Sequence, residues 1–148
     1  MEEIIEKLIE LKAHNDIEPP ISLNEIKKFE SKNNLLLPPE LKNIYQEFDG
    51  GEILIPGPKI FGLKDSEKRE SLREANNKKI RNDFSIPRNY LIIAKLNFGD
   101  FICINLNQPF DIIQWDHEND ELFCTWNSLK EWLKDNIDLF EEFEEKMS

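Results

Sequence analysis

Asp116-His117-Glu118-Asn119-Asp120 sets one of the two histidines of the chain among three acids. An imidazole nitrogen flanked by carboxylates is a donor set that a divalent metal can use. The segment has no second His or Cys at a metal-binding offset. It also lacks the ligand ladder, glycine and terminal glutamate of a calcium loop. These residues therefore read as a polar turn between two strands, and no metal is expected. His14, the other histidine, stands among polar residues just past an N-terminal helical pattern. Cys103 and Cys124 have no CxxC spacing and sit in apolar, strand-like runs, so both read as reduced, buried thiols. The five glycines form neither GxxxxGK nor GxGxxG, and no GxSxG occurs. Thirty Asp and Glu in 148 residues make chance carboxylate pairs unavoidable, and nothing selects one pair as acid and base. The expectation is a protein that is not an enzyme and needs no cofactor.

Charge narrows the partners. The formal net charge is −11. Neutralising phosphates needs a basic footprint, so nucleic acid and anionic membrane surfaces are disfavoured. The charge is uneven. Residues 59–95 carry ten bases against five acids, whereas residues 111–148 carry twelve acids against three bases. A negative field of that kind steers basic partners, although a merely solubilising surface has the same composition. The basic segment has only Phe61, Phe84 and Tyr90 as aromatics and no RNA-recognition motif, so it reads as a charged helix covering one end of a sheet. MEEIIEKLIE at the N-terminus is acidic and amphipathic, unlike a secretory signal, and no apolar run reaches membrane-spanning length. A cytoplasmic location is expected.

The elements that must hold these groups follow from periodicity. Ile4, Ile5, Leu8, Ile9 and Leu11 make one helical stripe over 2–13, interrupted by His14–Pro20. Ser22 with Glu25 is a capping-box pair, Ile21 and Ile26 are placed as a hydrophobic staple, and Ile26 and Phe29 face the core. Pro39 suits the first turn of a third helix, with Leu41, Ile44, Tyr45 and Phe48 on one face and Asp49-Gly50-Gly51 as its exit. A short strand region over 52–63 is broken by Pro56-Gly57-Pro58. A weak, exposed helix over 65–79 has Leu72 and Ala75 as its only apolar anchors. Strands are expected at 91–96, 101–106, 111–115 and 122–126, joined by turns at 97–100, 107–109 and 117–120. A last helix starts near Ser128, with Glu131 at a capping-box position and Leu129, Trp132, Leu133, Ile137, Phe140 and Phe143 on its buried face. Consecutive strands with short turns give a mainly antiparallel sheet. The fold class is α+β, one domain over 1–148, with the sheet packed by N-terminal helices and a C-terminal helix.

The order of these patterns is similar to a known family. Ile26-Lys27-Lys28-Phe29-Glu30 precedes Leu37-Pro38-Pro39-Glu40-Leu41 and then Tyr45-Gln46-Glu47-Phe48-Asp49-Gly50-Gly51. Lys59-Ile60-Phe61-Gly62-Leu63, the Gly99-Asp100 turn, Ile113-Gln114-Trp115-Asp116-His117-Glu118 and a Phe- and Trp-rich final helix complete it. From about residue 20 to about residue 140 the chain resembles the SUKH superfamily. At Asn97-Phe98 it departs from that pattern, in which an acidic residue or glycine often stands before the Gly-Asp turn. The resemblance implies a domain that works through protein contacts. Many bacterial members are immunity proteins that neutralise a cognate toxin, often a nuclease, in polymorphic or contact-dependent toxin systems. Fungal relatives regulate cell-wall assembly. The family supplies no catalytic residues to carry over.

Two functions remain open at this point. One is an immunity protein for a toxin encoded by a neighbouring gene. The other is a non-catalytic regulatory or scaffold domain that binds a host protein. For the first, Asp116, Glu118, Asp120 and Glu121 are the candidate partner-binding residues, because a turn presents side chains on a rigid sheet. Glu141, Glu142, Glu144 and Glu145 form a second acidic group at the end of the last helix, where the helix macrodipole disfavours negative charge.

Overall fold

A computed structural model of the chain describes residues 1–147. Seven strands form one sheet: β1 (Asp16–Ile17), β2 (Gly51–Glu52), β3 (Lys59–Ile60), β4 (Tyr90–Lys95), β5 (Phe101–Asn105), β6 (Ile112–Asp116) and β7 (Glu121–Trp126). Their order in the sheet is their order in the chain, and every neighbouring pair is antiparallel. Six α-helices accompany them among the described residues: α1 (Glu2–Glu10), α2 (Leu23–Asn33), α3 (Pro39–Glu47), α4 (Leu72–Ala75), α5 (Lys78–Asp83) and α6 (Leu129–Met147). The α+β expectation is met.

The core lies on both faces of β4 and β5. Leu91, Ile92, Ile93 and Ala94 of β4 and Phe101, Ile102, Cys103 and Ile104 of β5 are all buried. A strand with one wet face would alternate, so the continuous apolar runs report two covered faces. On one face, α1, α2, α3 and α6 pack against one another. Tyr45 of α3, fully buried, donates its hydroxyl to Phe61 O at 2.6 Å and ties that layer to the sheet. On the other face, Phe84 meets Phe101 edge to face at 5.0 Å, and Trp115 donates its indole N–H to Phe84 O at 2.8 Å.

The helix starts follow their caps. Ser22 accepts from Glu25 N and Glu25 reaches back to Ser22 N, which completes the expected box, and Asn34 closes α2 in the left-handed conformation. Ser128 accepts from Glu131 N at 3.2 Å, but Glu131 reaches one residue further back than expected, to Asn127 N.

Five expectations are corrected. The single helix over 65–79 is instead two short ones, because Ser71 and Glu74 form a capping box and Asn77 caps the chain again six residues later. Ile80 and Phe84 pack on the core beside Leu72 and Ala75. The first helix ends at Glu10 and is followed by a 3-10 turn over Lys12–His14 and by strand β1, which the sequence reading missed. Gly50 and Gly51 are not the residues that cap α3: Phe48 leaves the helix in an extended conformation, and the glycines lie beyond it. Their positive φ angles, +75° and +120°, serve close backbone approach, since a Cβ on Gly50 would stand 2.5 Å from Ile60 O. Phe143 is not buried on α6, and Cys124 is only partly buried.

Candidate functional site

The turn between β6 and β7 is built from the inside out. Asp100, at the end of the β4–β5 turn, is a buried carboxylate. Its Oδ1 accepts from His117 N at 3.1 Å and pairs with His117 Nδ1 at 2.5 Å, while its Oδ2 accepts from Gln114 Nε2 at 2.8 Å. Burial pushes the Asp100 carboxyl up, but the hydrogen bonds from Gln114 and His117 outweigh that, and it ionises below the ordinary carboxylate range. Gly99 makes room for the contact. Its φ is +109°, and a Cβ there would stand 2.7 Å from His117 Nε2. Two separate hairpin turns are thereby fastened together.

Asp116 shapes the turn itself. Its Oδ1 accepts from Glu118 N at 2.9 Å and from Asn119 N at 3.3 Å, and its Oδ2 accepts from Asn119 Nδ2 at 2.8 Å. These bonds hold its carboxyl below the usual range, with the Asn119 side chain as the largest contributor. Asp120 adopts φ 53°. Glu118, Asp120 and Glu121 are exposed, and Glu121 pairs with Asp116 across the strands. The structure thus brings all four candidate residues onto one turn. It divides their work, with Asp116 directed into the turn and the other three outward.

Beyond the acids, β7 is one edge of the sheet. Leu122 and Phe123 are 45% and 66% exposed there, although the alternating sequence reads like a half-buried strand. Phe123 is the extra residue of a bulge, since Trp115 pairs with Leu122 and Gln114 with Cys124. No Lys or Arg occurs between Lys95 and Lys130. The acids and the apolar edge therefore share a stretch of chain with no Lys or Arg.

Ligand atoms of Asp100, Asp116 and His117 lie within 4.8 Å of one another. Asp100 and His117 are hydrogen-bonded to each other, while Asp116 is held by Glu118 N and Asn119. Cys103 is buried and its thiol is pushed up to about 12 by burial, and burial also raises Cys124, so neither presents a thiolate near neutral pH. No described helix is long and apolar enough to cross a membrane.

A second junction is formed by residues of the helix-Gly-Gly pattern. Asp49 Oδ1 accepts from Leu63 N at 2.6 Å and Oδ2 from Lys64 N at 3.2 Å. Gly62 lies so close beneath that a Cβ would meet Asp49 O. Here Asp49 and the three glycines position backbone, which is a fold role. A model of the SMI1 / KNR4 family (SUKH-1) matches residues 20–135, a span that includes both this junction and the anchored turn. The chain belongs to the SMI1 / KNR4 family (SUKH-1). Searched against curated proteins, the chain finds no significant match. Within the matched span, the turn residues that sequence reasoning selected stand on the surface. The residue that anchors them, Asp100, was read only as part of a hairpin, because a lone Asp after Gly is an ordinary turn signal. Gln114 and the exposed edge at Leu122 and Phe123 were likewise missed.

Proposed function

We propose that this protein is a cytoplasmic immunity protein that binds and neutralises a cognate protein toxin, and that it acts by occupying a surface rather than by catalysis. Membership of SUKH-1 supports a role in protein contacts. The observation that carries the reading is the anchored acidic turn. Glu118, Asp120 and Glu121 stand exposed beside Leu122 and Phe123, with no Lys or Arg from 96 to 129. Exposed acids next to an exposed apolar edge fit a basic, partly apolar target surface, such as the substrate cleft of a nuclease.

Co-expression with the toxin encoded by the neighbouring gene tests the proposal. Survival together with co-purification of a complex is the expected result. Survival without any complex sinks the binding mechanism. In the purified pair, Glu118→Lys with Asp120→Lys slows association by roughly tenfold or more at low salt and by much less at high salt, because exposed charges act mainly on the on-rate. An unchanged on-rate removes the turn from the interface.

A further inference from the structure

The last helix outruns the core. Its fully buried residues are Leu129, Trp132, Leu133 and Ile137, yet α6 continues to Met147. Phe140 is half-buried against His14, with the rings 4.8 Å apart. Beyond that, Leu139, Phe143 and Met147 are 65%, 57% and 72% exposed. Their spacing of four puts them on one stripe, about 12 Å long at 1.5 Å per residue. Leu139 and Phe143 also line a groove of about 310 Å³ whose opposite wall is Leu54, Ile55, Pro56, Gly57 and Pro58, in the loop between β2 and β3. Ile55 is itself 42% exposed. The apolar stripe therefore has a shaped wall facing it.

Charge says what fits there. Asp135, Asp138, Glu141, Glu142, Glu144 and Glu145 share this half of α6 with only Lys134 and Lys146. Lys7 of α1 reaches Glu141 at 2.8 Å, Lys134 reaches Asp138 and Lys146 reaches Glu142, and with these three lysines counted the six acids still make the surface net negative. Glu144 is on the groove wall. Glu144 and Glu145 lie in the last described turn, at the negative end of the helix dipole, where they cost stability. Groove-to-groove pairing with a second copy of this chain would bring like charge against like charge. A basic partner relieves both the repulsion and the exposed apolar surface.

We propose that the groove between α6 and the 54–58 loop is a docking site for a cationic amphipathic helix of a partner protein. The helix lays its apolar face on Leu139, Phe143 and Ile55 and its Lys or Arg side chains against the flanking carboxylates. This site is independent of the β6–β7 turn. The groove wall is the loop between β2 and β3, whereas the turn joins the last two strands of the sheet.

The test uses the full chain and a fluorescent Leu/Lys peptide of about 14 residues with apolar positions at i, i+3, i+4 and i+7. A scrambled peptide of the same composition and a Leu/Glu peptide serve as controls. The Leu/Lys helix binds most tightly, and its affinity falls by roughly tenfold or more in Leu139→Ser/Phe143→Ser, whose fold is verified by circular dichroism. Backbone NMR shifts on binding fall in 54–58 and 139–147. Equal binding of the scrambled peptide overturns the proposal, as does an unchanged affinity in the double variant. So does a concentration-dependent dimer that Phe143→Ser dissolves, because a second copy then covers the groove.

Discussion

Replacing Asp100 probes the fastening between the two hairpin turns. Asp100→Ala removes a buried acceptor of three hydrogen bonds, from Gln114 Nε2, His117 N and His117 Nδ1. Bonds to an ionised group contribute about 1.5–3 kcal/mol each, but contributions within one network are not additive, and the abandoned donors add desolvation cost. His117 is about a quarter exposed, so water takes over part of what it loses. A net destabilisation of about 3–4 kcal/mol at pH 7 follows. With a urea m-value near 2 kcal/mol/M, the unfolding midpoint drops by roughly 1.5–2 M. Asp100→Asn keeps an oxygen for His117 and, with Gln114 turned over, a donor for its amide. It loses charge assistance and costs about 1–2 kcal/mol. The pH dependence has a definite sign. Folding lowers the Asp100 ionisation below its ordinary value of 3.8, so its contribution is present above that value and is lost as pH falls through the folded one. Wild type therefore loses more stability than Asp100→Asn between pH 5 and the low end of the acid range, as urea titrations at each pH measure. An Asp100→Ala cost below about 1 kcal/mol, or parallel acid profiles for wild type and Asp100→Asn, refutes the account of a charged, buried anchor.

Two further perturbations test other joints of the fold. Gly50→Ala forces a Cβ against Ile60 O at φ +75°, and thermal unfolding should show a loss of about 2–4 kcal/mol or failure to fold. In the native protein, iodoacetamide modifies Cys124 slowly and spares Cys103, whose modification appears only in denaturant; mass spectrometry of the digested protein reads both sites.

What could be read from the sequence was what local chemistry decides. Ser22 and Glu25 announce α2 because the capping box is made within four residues. The strands from β4 to β7 are legible because each is paired through its own short turn. The misses share another cause. Strand β1 is two residues long and is held from a distance. Asn15 Oδ1 accepts from Leu54 N, and Arg69 reaches Asp16 and Glu18 across more than fifty residues of chain. No local pattern encodes such contacts. The place of the acids on an exposed turn between β6 and β7 was legible because polar residues between two apolar runs have few other homes. Asp100 was not, since its importance lies in burial beneath a turn formed seventeen residues later. The exposure of Leu122 and Phe123 was hidden for a related reason. An edge strand and an inner strand with the same alternation differ only in whether a neighbour arrives.

The link from Asp100 to His117 also bears on association with any partner that meets the acidic turn. A free four-residue turn of this composition samples many backbone states, and a partner that captures one of them must freeze the rest out, at about 1–2 kcal/mol per residue fixed. Here folding has already done much of that ordering. Asp116 bonds two backbone amides of the turn, and Asp100 pins the turn to the neighbouring hairpin. Glu118 and Asp120 present exposed side chains on a settled frame, so affinity is spent on contacts rather than on entropy. Loosening the pin should then raise the dissociation rate even though no contacting atom has been removed.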